Sequence, residues 1–559
     1  MSGSTSPSLD IAVACNFEPL SFERYLRSQL SREHDPVRLR TSGFGGLEAM
    51  LQQITVGEIE PARIVVWVEW SDLDPRLGLR SEMALSQLAL NDIVHEARES
   101  AERIGSRLSQ IGARAVLVPP TLSLPPFFPT RPEQASSWQC ALRSIAAQLC
   151  VTMTEFGVSV VDVDALTVAP GERRSARNEV RFGFPFTERH AKDVAAIVAT
   201  LISPPVRRKG LVLDLDGTLW KGIVGDDGAE AISWNLNQEA IGHALLQRAS
   251  NLLGDCGVLL GVVSKNEPDT AEAGLARKDL IVSRESLWPV VAGWHQKSAG
   301  VLEIARAWNI GADAIVMLDD SALELAEVAA AIHGIQTLQF DGNDPEAILH
   351  ILTRLRELFG SARTTEEDRL RSKSIRASSD VSKVDVSDTE RYEAFLAGLH
   401  PELIVRRLAQ STRDRATELV NKTNQFNLTG SRVGPENENE FFGNGEVWLF
   451  EYADRLSRLG VIGLLRLEES EENLVVTHWV LSCRAFARRV EHAMMAFLGE
   501  RAGERLVRLP FTPSAKNAPL SRFLEDVLGV VPSSAHLWSS QELLGRLPRN
   551  LPAASLREA

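Results

Sequence analysis

Cysteine is scarce in this chain of 559 residues: the five, Cys15, Cys140, Cys150, Cys256 and Cys483, are scattered and form no CxxC pair. That spacing argues against a clustered zinc site or a dithiol redox motif and fits a reducing compartment. A basic excess is also missing. The formal net charge is −14, which speaks against a general nucleic-acid-binding surface, because such a surface neutralises phosphates with surplus Lys and Arg. No apolar run approaches the roughly 20 residues that span a bilayer, and the opening MSGSTSPSLD carries no basic stretch followed by an apolar core. A cytoplasmic protein with no membrane or nucleic-acid partner is expected.

What is present is ordinary folded-protein composition, 44% apolar and 24% charged. The length exceeds what one core sustains, so three domains are expected. Residues 1–207 alternate apolar runs (Ile11–Cys15, Ile64–Val68, Ala115–Val118, Val158–Val163) with amphipathic helical stretches, the pattern of parallel α/β packing. Pro204 and Pro205 separate these from a second α/β domain, 208–363, with strands expected at Leu211–Leu215, Val258–Val263 and Ala314–Leu318. A charged stretch, 364–387, reads equally as linker or solvated helix. From 388 to 559 the pattern is α+β: strands at Val447–Tyr452, Gly460–Leu467 and Leu474–Leu481, then a helix at Ala485–Leu498.

The chemistry concentrates in the second domain. Leu211-Val-Leu-Asp214-Leu-Asp216-Gly-Thr218 sets two carboxylates, two residues apart, where a buried strand runs out, and ligands of open α/β sheets bind outside the carboxyl ends of strands. Alternation along an extended strand aims both the same way, and Gly217 lets the backbone turn towards an anion. Carboxylates this close repel and call for a divalent cation, and the hard, oxygen-preferring Mg²⁺ is the one expected. Val263-Ser264-Lys265-Asn266 ends the next strand with a hydroxyl and backbone N–H groups, Lys297 offers a point charge for phosphate, and Leu318-Asp319-Asp320-Ser321 ends a further strand in an acidic pair. Taken singly, each also reads as a strand-end turn or a solvated lysine; two strands both ending in acid pairs are much harder to explain as turns.

In order, these residues resemble the four motifs of the haloacid-dehalogenase superfamily. The resemblance implies Asp214 as a nucleophile that becomes an aspartyl phosphate, Asp216 as the general acid and base, and Lys297 as stabiliser of the phosphoenzyme. Thr218, Ser264 and Asn266 would hold substrate phosphate. Mg²⁺ would be bound by Asp214, the backbone carbonyl of Asp216 and Asp319, with Asp320 close by. The gaps from Asp216 to Ser264 and from Asn266 to Lys297 leave room for a minimal cap only. Asp214-Leu-Asp-Gly-Thr-Leu-Trp-Lys-Gly-Ile-Val-Gly-Asp-Asp-Gly228 together with Thr423-Asn-Gln-Phe-Asn-Leu-Thr429 resembles the FkbH-like proteins, which join a subfamily IIIC haloacid-dehalogenase phosphatase to an acetyltransferase-like (GNAT-like) domain. Membership implies removal of phosphate from a phosphorylated three-carbon acid such as 1,3-bisphosphoglycerate. The glyceryl group would be loaded onto the phosphopantetheine arm of an acyl carrier protein, in polyketide or related secondary metabolism. The alternative is a stand-alone small-molecule phosphatase with a noncatalytic C-terminal specificity domain. One departure stands out: Asp319-Asp-Ser-Ala-Leu-Glu324 replaces the Asn-Pro expected after the acids.

In the C-terminal domain, Arg484, Arg488 and Arg489 stand where a GNAT-like helix N-terminus would receive the pantetheine phosphate, and Thr423–Thr429 with Thr512–Asn517 would line the channel. Cys483, directly before that helix, is the cysteine expected to accept an acyl group, a small buried cysteine being the competing reading. Phe186-Thr-Glu-Arg-His190 resembles the histidine block of SGNH hydrolases, yet no Gly-Asp-Ser nucleophile stands near the first strand, so the N-terminal domain is expected to be SGNH-like and noncatalytic.

Overall fold

The computed structural model describes residues 8–361 apart from Glu33, Phe44 and Ala84, then Ile375 and Arg376, and 396–556 apart from 435–436, 444, 456–457, 471, 487, 515–516, 533–535, 549–550 and 553; the side chains of Cys483, Ala554 and Leu556 also lie outside the description. The stretch 364–387 thus lies outside the described residues, Ile375 and Arg376 excepted. By its internal contacts the chain divides into two compact units, Met1–Pro205 with Gly434–Phe441, and Val206–Val433 with Phe442–Ala559.

In the first unit, β1 (Leu9–Ala14), β2 (Val37–Thr41), β3 (Arg63–Trp67), β4 (Ala115–Val118) and β5 (Ser159–Val160) form a parallel sheet in the order β2-β1-β3-β4-β5. Helices Leu20–Leu30 and Glu188–Ile202 pack together, as do Gln87–Ile111 and Ser137–Glu155. In this strand order the right-handed crossover rule assigns the two pairs to opposite faces, and a sheet covered on both faces has inner strands that read as continuous apolar runs. Strand β2, Val-Arg-Leu-Arg-Thr, was not expected. It is an edge strand with only Val37 fully buried, so its arginines mask the pattern.

The second unit opens with β6 (Gly210–Leu213), β7 (Leu259–Ser264), β8 (Leu287–Ala292), β9 (Ile315–Asp319) and β10 (Gln336–Gln339), all parallel, in the order β10-β9-β6-β7-β8. Both faces are buried: Leu211 and Leu213 join a core with Trp220 and Phe359, while Val212 joins one with Trp308 and Met317. The chain leaves β6 for β7 on one side and returns with β9 on the other, so the switch point of the topology lies beside the carboxyl end of β6. The unexpected strands β8 and β10 are again the edges. Pro289 interrupts the pattern of β8, and β10 has no fully buried residue. Between Asp216 and Ser264 the chain adds a short helix, Val224–Asp227, a 3₁₀ turn and the helix Ile241–Asp255, and between Asn266 and Lys297 the helix Pro268–Leu275, a 3₁₀ turn and β8, so no separate cap domain is inserted.

A size constraint seats the helix that carries Lys297. Trp308, at the far end of helix Lys297–Trp308, is fully buried against neighbouring glycines of β6 and β7; a Cβ on Gly210 or Gly261 would come within 2.4 or 2.8 Å of its ring. These glycines let the helix lie close to the sheet and aim its first residue at the strand ends.

A seven-stranded sheet follows: β11 (Glu402–Arg407), β12 (Glu446–Ala453), β13 (Arg458–Glu469), β14 (Asn473–Leu481), β15 (Leu506–Arg508), β16 (Leu537–Trp538) and β17 (Ala554–Leu556), in the order β16-β15-β14-β13-β12-β11-β17. Strands β11 to β14 are antiparallel, and β14 to β15 is a parallel crossover through helix Val490–Ala502. Along β14, strand β15 covers Asn473–Val475. Further along, the edge of β14 is taken by Phe426–Leu428, through Leu428 N–H to the Trp479 carbonyl (3.0 Å) and Leu481 N–H to the Phe426 carbonyl (3.0 Å).

Candidate active site

Asp214 continues the ladder of β6, its N–H donating to the Leu318 carbonyl of β9 (3.0 Å), and so emerges between two strand ends. Its carboxylate is buried, as are Asp319 at the end of β9 and Ser264 at the end of β7. Carboxylate oxygens of Asp214, Asp319 and the exposed Asp320 all lie within 4.8 Å of one another. Lys297, only 2% exposed, points into this group: its Nζ lies 2.7 Å from Asp214 Oδ1 and 2.5 Å from Asp319 Oδ2 and also ion-pairs with Glu324 Oε2. Glu324 Oε1 in turn lies 2.9 Å from Lys265 Nζ. The expected cluster of Asp214, Lys297, Asp319 and Asp320 is therefore brought together, with Glu324 and Lys265 added to it.

The loop after β6 is shaped by groups the motif does not announce. Gly217 adopts a φ of +71°, and a Cβ there would lie 2.6 Å from Asp320 Oδ2, so both the turn and the approach of Asp320 call for glycine. Thr218, fully buried, accepts the Asp320 N–H at its hydroxyl (2.9 Å), tying the ends of β6 and β9 together. That engagement corrects its expected role: the hydroxyl clasps two strand ends inside the core and has no exposed surface for phosphate. Behind the loop, His243 Nδ1 donates to the Thr218 carbonyl (2.8 Å) and Gln247 Nε2 to the Leu219 carbonyl (2.8 Å). Both sit on one face of helix Ile241–Asp255, one turn apart, and that spacing is their only trace in the sequence.

Asp216 is half-buried and stands apart from the acidic trio. Its Oδ1 accepts from Trp220 Nε1 (2.8 Å) and the Val224 N–H (3.0 Å), and its Oδ2 from Asn266 Nδ2 (2.8 Å). Asn266 Nδ2 also donates to Ser264 Oγ (3.0 Å), so this side chain orients the Asp216 carboxylate and the Ser264 hydroxyl rather than pointing at a ligand.

Electrostatics follow from crowding. Burial, reinforced by the Asp319 charge, pushes the Asp214 carboxyl up against the pull of Lys297. For Lys297, burial works against the charge, but Asp214 and Asp319 outweigh it and hold the ammonium above the usual lysine range. Burial and then Asp319 push Asp320 up. Burial likewise opposes the Glu324 charge, yet Lys297 and Lys265 outweigh it and hold that carboxyl low.

The C-terminal candidates are arranged differently from expectation. The helix expected at Ala485 begins at Val490, and Cys483 opens a short 3₁₀ turn, Cys483–Ala485. The side chain of Cys483 lies outside the described residues. Arg488 is turned inward: its side chain is 0% exposed, its Nε lies 2.8 Å from the buried Asp454 Oδ2, and it donates to the Arg484 carbonyl (3.1 Å). It is a core ion pair rather than an anion contact. Arg484 is buried as well, while the half-buried Arg489 caps the helix in a left-handed conformation with φ 57°. Thr423–Thr429 and Thr512–Asn517 do meet: the Thr512 N–H donates to the Leu428 carbonyl (3.1 Å) and Asn517 Nδ2 to the Asn427 carbonyl (3.2 Å). Asn427 and Asn517 are buried in that contact, and Lys516 lies outside the described residues.

In the N-terminal unit, His190 is fully buried, with Nε2 2.8 Å from Thr121 Oγ1, which donates to Glu69 Oε1 (2.6 Å). Glu69 also accepts from Trp67 Nε1 and from the backbone N–H groups of Thr121 and Leu122. Burial pushes Glu69 up to about 7 and Asp72 to about 6, and pushes His190 down to about 4. The carboxyls, raised on folding, stabilise the unit fully below their unfolded values, and that stability is lost as pH rises through 6 and 7. His190, lowered on folding, stabilises it fully above 6.5 and loses this as pH falls through 4. We therefore expect Glu69→Gln to lose less stability than the native chain between pH 5 and 7.5, by about 2 kcal/mol. Urea midpoints at the two pH values, followed by a probe in this unit, check it; equal losses in both chains refute it.

No family model matches the sequence, and no curated protein matches it. Among solved structures, the N-terminal part of the protein BF1531 from Bacteroides fragilis, described as containing a phosphatase domain and complexed with Mg, superposes with a TM-score of 0.51 at 19% identity, covering 64% of this chain and 95% of that one. At this identity the likeness is one of fold. The chain thus shares a parallel α/β fold with that protein, and its own carboxylates and Lys297 lie at the switch point of the sheet.

Proposed function

We propose that this chain is a Mg²⁺-dependent phosphoryl-transfer enzyme acting through Asp214. The observation that carries the reading is a lysine ammonium held between the carboxylates of β6 and β9 at the switch point, with Asp320 beside them. The donor set fits a hard cation: all three groups are carboxylates. Four carboxylates, Asp214, Asp319, Asp320 and Glu324, face two ammonium groups, Lys265 and Lys297, leaving a formal excess of two negative charges that one divalent cation cancels. Asp214, Asp319 and Asp320 would hold Mg²⁺, which supplies charge neutralisation of the phosphoryl oxygens. The likeness to a phosphatase domain solved with Mg supports the same reading.

In this mechanism an Asp214 carboxylate oxygen bonds to phosphorus as the bond to the leaving oxygen breaks, and Asp216 delivers the proton to that oxygen. Asp216 then takes a proton from the water that attacks the phosphoaspartate, releasing phosphate and restoring Asp214. Asn266, Trp220 and the Val224 N–H hold the Asp216 carboxylate in place for both transfers.

The FkbH-like motifs extend the proposal to loading. A three-carbon acid with an acyl phosphate and an ester phosphate would give its acyl carbon to the carrier's pantetheine thiol. The C–S bond forms, the C–O bond to phosphate breaks, and the ester phosphate is removed at Asp214. The acceptor here is the carrier's own thiol; Cys483→Ala separates this from relay through the enzyme, since unchanged loading keeps direct transfer and lost loading with intact phosphate release makes Cys483 the relay. A second reading, a small-molecule phosphatase with a noncatalytic C-terminal domain, is favoured by the burial of Arg488 and by the segment already paired along β14. Incubation with Mg²⁺, a 1,3-bisphosphoglycerate-type donor and candidate carriers, followed by intact mass, decides between them. A glyceryl adduct supports loading, whereas phosphate release without any adduct supports the phosphatase. No Mg²⁺-dependent phosphate release from donor or generic phosphomonoester sinks both.

A further inference from the structure

We propose that Glu324 is the positioning residue for Lys297, and that Lys265 acts through Glu324 by holding its other oxygen. The inference rests on the phosphoryl-transfer reading. An ammonium has three N–H donors, and Lys297 has three carboxylate partners, Asp214, Asp319 and Glu324. Two of these belong to the trio suited to a cation; Glu324 does not. A cation drawing on Asp214 and Asp319 competes with Lys297 for their charge and lone pairs, whereas Glu324, outside the trio, is the partner of Lys297 that such a cation disturbs least.

Glu324 is built for that task. It stands in the first turn of helix Ala322–Ala331, whose N-cap Ser321 accepts the Glu324 N–H, four residues after Asp320 in sequence. Its two oxygens are divided: Oε2 on Lys297 and Oε1 on Lys265, the residue that follows the end of β7 at Ser264. The side chain is thereby fixed at both ends. A lysine stem is flexible, and a reacting group misplaced by about 1 Å costs on the order of 10²-fold in rate. Glu324 thus sets where the Lys297 charge lies once Asp214 and Asp319 turn to metal and substrate.

The test uses the full chain with a generic phosphomonoester and Mg²⁺. Glu324→Ala should lower kcat by roughly ten- to a hundredfold with KM within about threefold. Glu324→Gln, which keeps the shape and one acceptor, should lose less, and melting curves establish that both are folded. Lys265→Met should lower kcat in the same sense, and the double variant Lys265→Met/Glu324→Ala should be no worse than Glu324→Ala, because one residue acts through the other. Additive losses, or a Lys265→Met variant changed mainly in KM, overturn the relay and make Lys265 a substrate contact. Calorimetry of Mg²⁺ without substrate gives a reading independent of turnover: Glu324→Ala should bind Mg²⁺ several-fold more weakly, as Lys297 moves onto the cation's ligands, and unchanged affinity overturns the proposal. If Asp214→Asn turns over normally, the phosphoryl-transfer reading falls instead, and the calorimetric comparison still decides what Glu324 does.

Discussion

Asp214→Asn is expected to abolish Mg²⁺-dependent phosphate release, by roughly 10⁴-fold or more, while the chain stays folded. The amide keeps nearly the shape of the carboxylate but cannot attack phosphorus, and Lys297 retains Asp319 and Glu324, so no buried ammonium is left alone. Phosphate release over time, beside a melting curve, checks both halves. Turnover near the native rate in the folded variant would remove Asp214 from the nucleophile's place. Loss of the fold would instead show that Asp214 is chiefly a counter-charge for Lys297.

The second large effect is structural. Arg488→Met should destabilise the C-terminal sheet domain by about 3–5 kcal/mol, because it removes the guanidinium that pairs with the fully buried Asp454 carboxylate. Chemical denaturation followed by a probe in that domain checks it, and a loss below about 1 kcal/mol would show that the pair is dispensable. Arg488 is therefore unsuitable for testing carrier docking, although its spacing in the sequence suggests that use. Arg489→Glu is the informative change: a fall in loading with phosphate release intact would mark a docking contact.

The phosphoryl site is legible in the sequence because its residues are strand-end residues of buried strands. Leu211–Leu213 and Ile315–Leu318 are apolar throughout, so the acids that follow them stand out at the position where an open parallel sheet receives ligands. The edge strands β2, β8 and β10 are not legible, since a strand covered on fewer sides keeps its polar residues or, in β8, a proline. Glu324 carries no signal of its own in the sequence, where the departure from the family pattern falls on Ser321 and Ala322. Its meaning depends on Lys265 and Lys297, which arrive from other strand ends and no local spacing relates to it.

Arginines show the same limit from the other side. Cys483-Arg-Ala-Phe-Ala-Arg-Arg489 reads as a basic approach to a helix N-terminus, but the helix starts at Val490 and Arg488 turns into the core to meet Asp454. A charged side chain reads as solvated unless a buried partner compensates it, and that partner lies 34 residues away on another element. Thr218 and Asn266 are parallel cases: each has the right chemistry for phosphate, yet one clasps Asp320 and the other orients Asp216.

By itself, then, the sequence determined the parallel sheet and the acids at its strand ends, because apolar runs and the residues that end them are local properties of the chain. Only the tertiary structure decided which charges meet: that Lys297 is shared among Asp214, Asp319 and Glu324, that Asp216 is held apart by Trp220 and Asn266, and that Arg488 is inside. The reason is physical: a buried charge takes its energy from the partner that compensates it, and folding brings that partner from a distant segment.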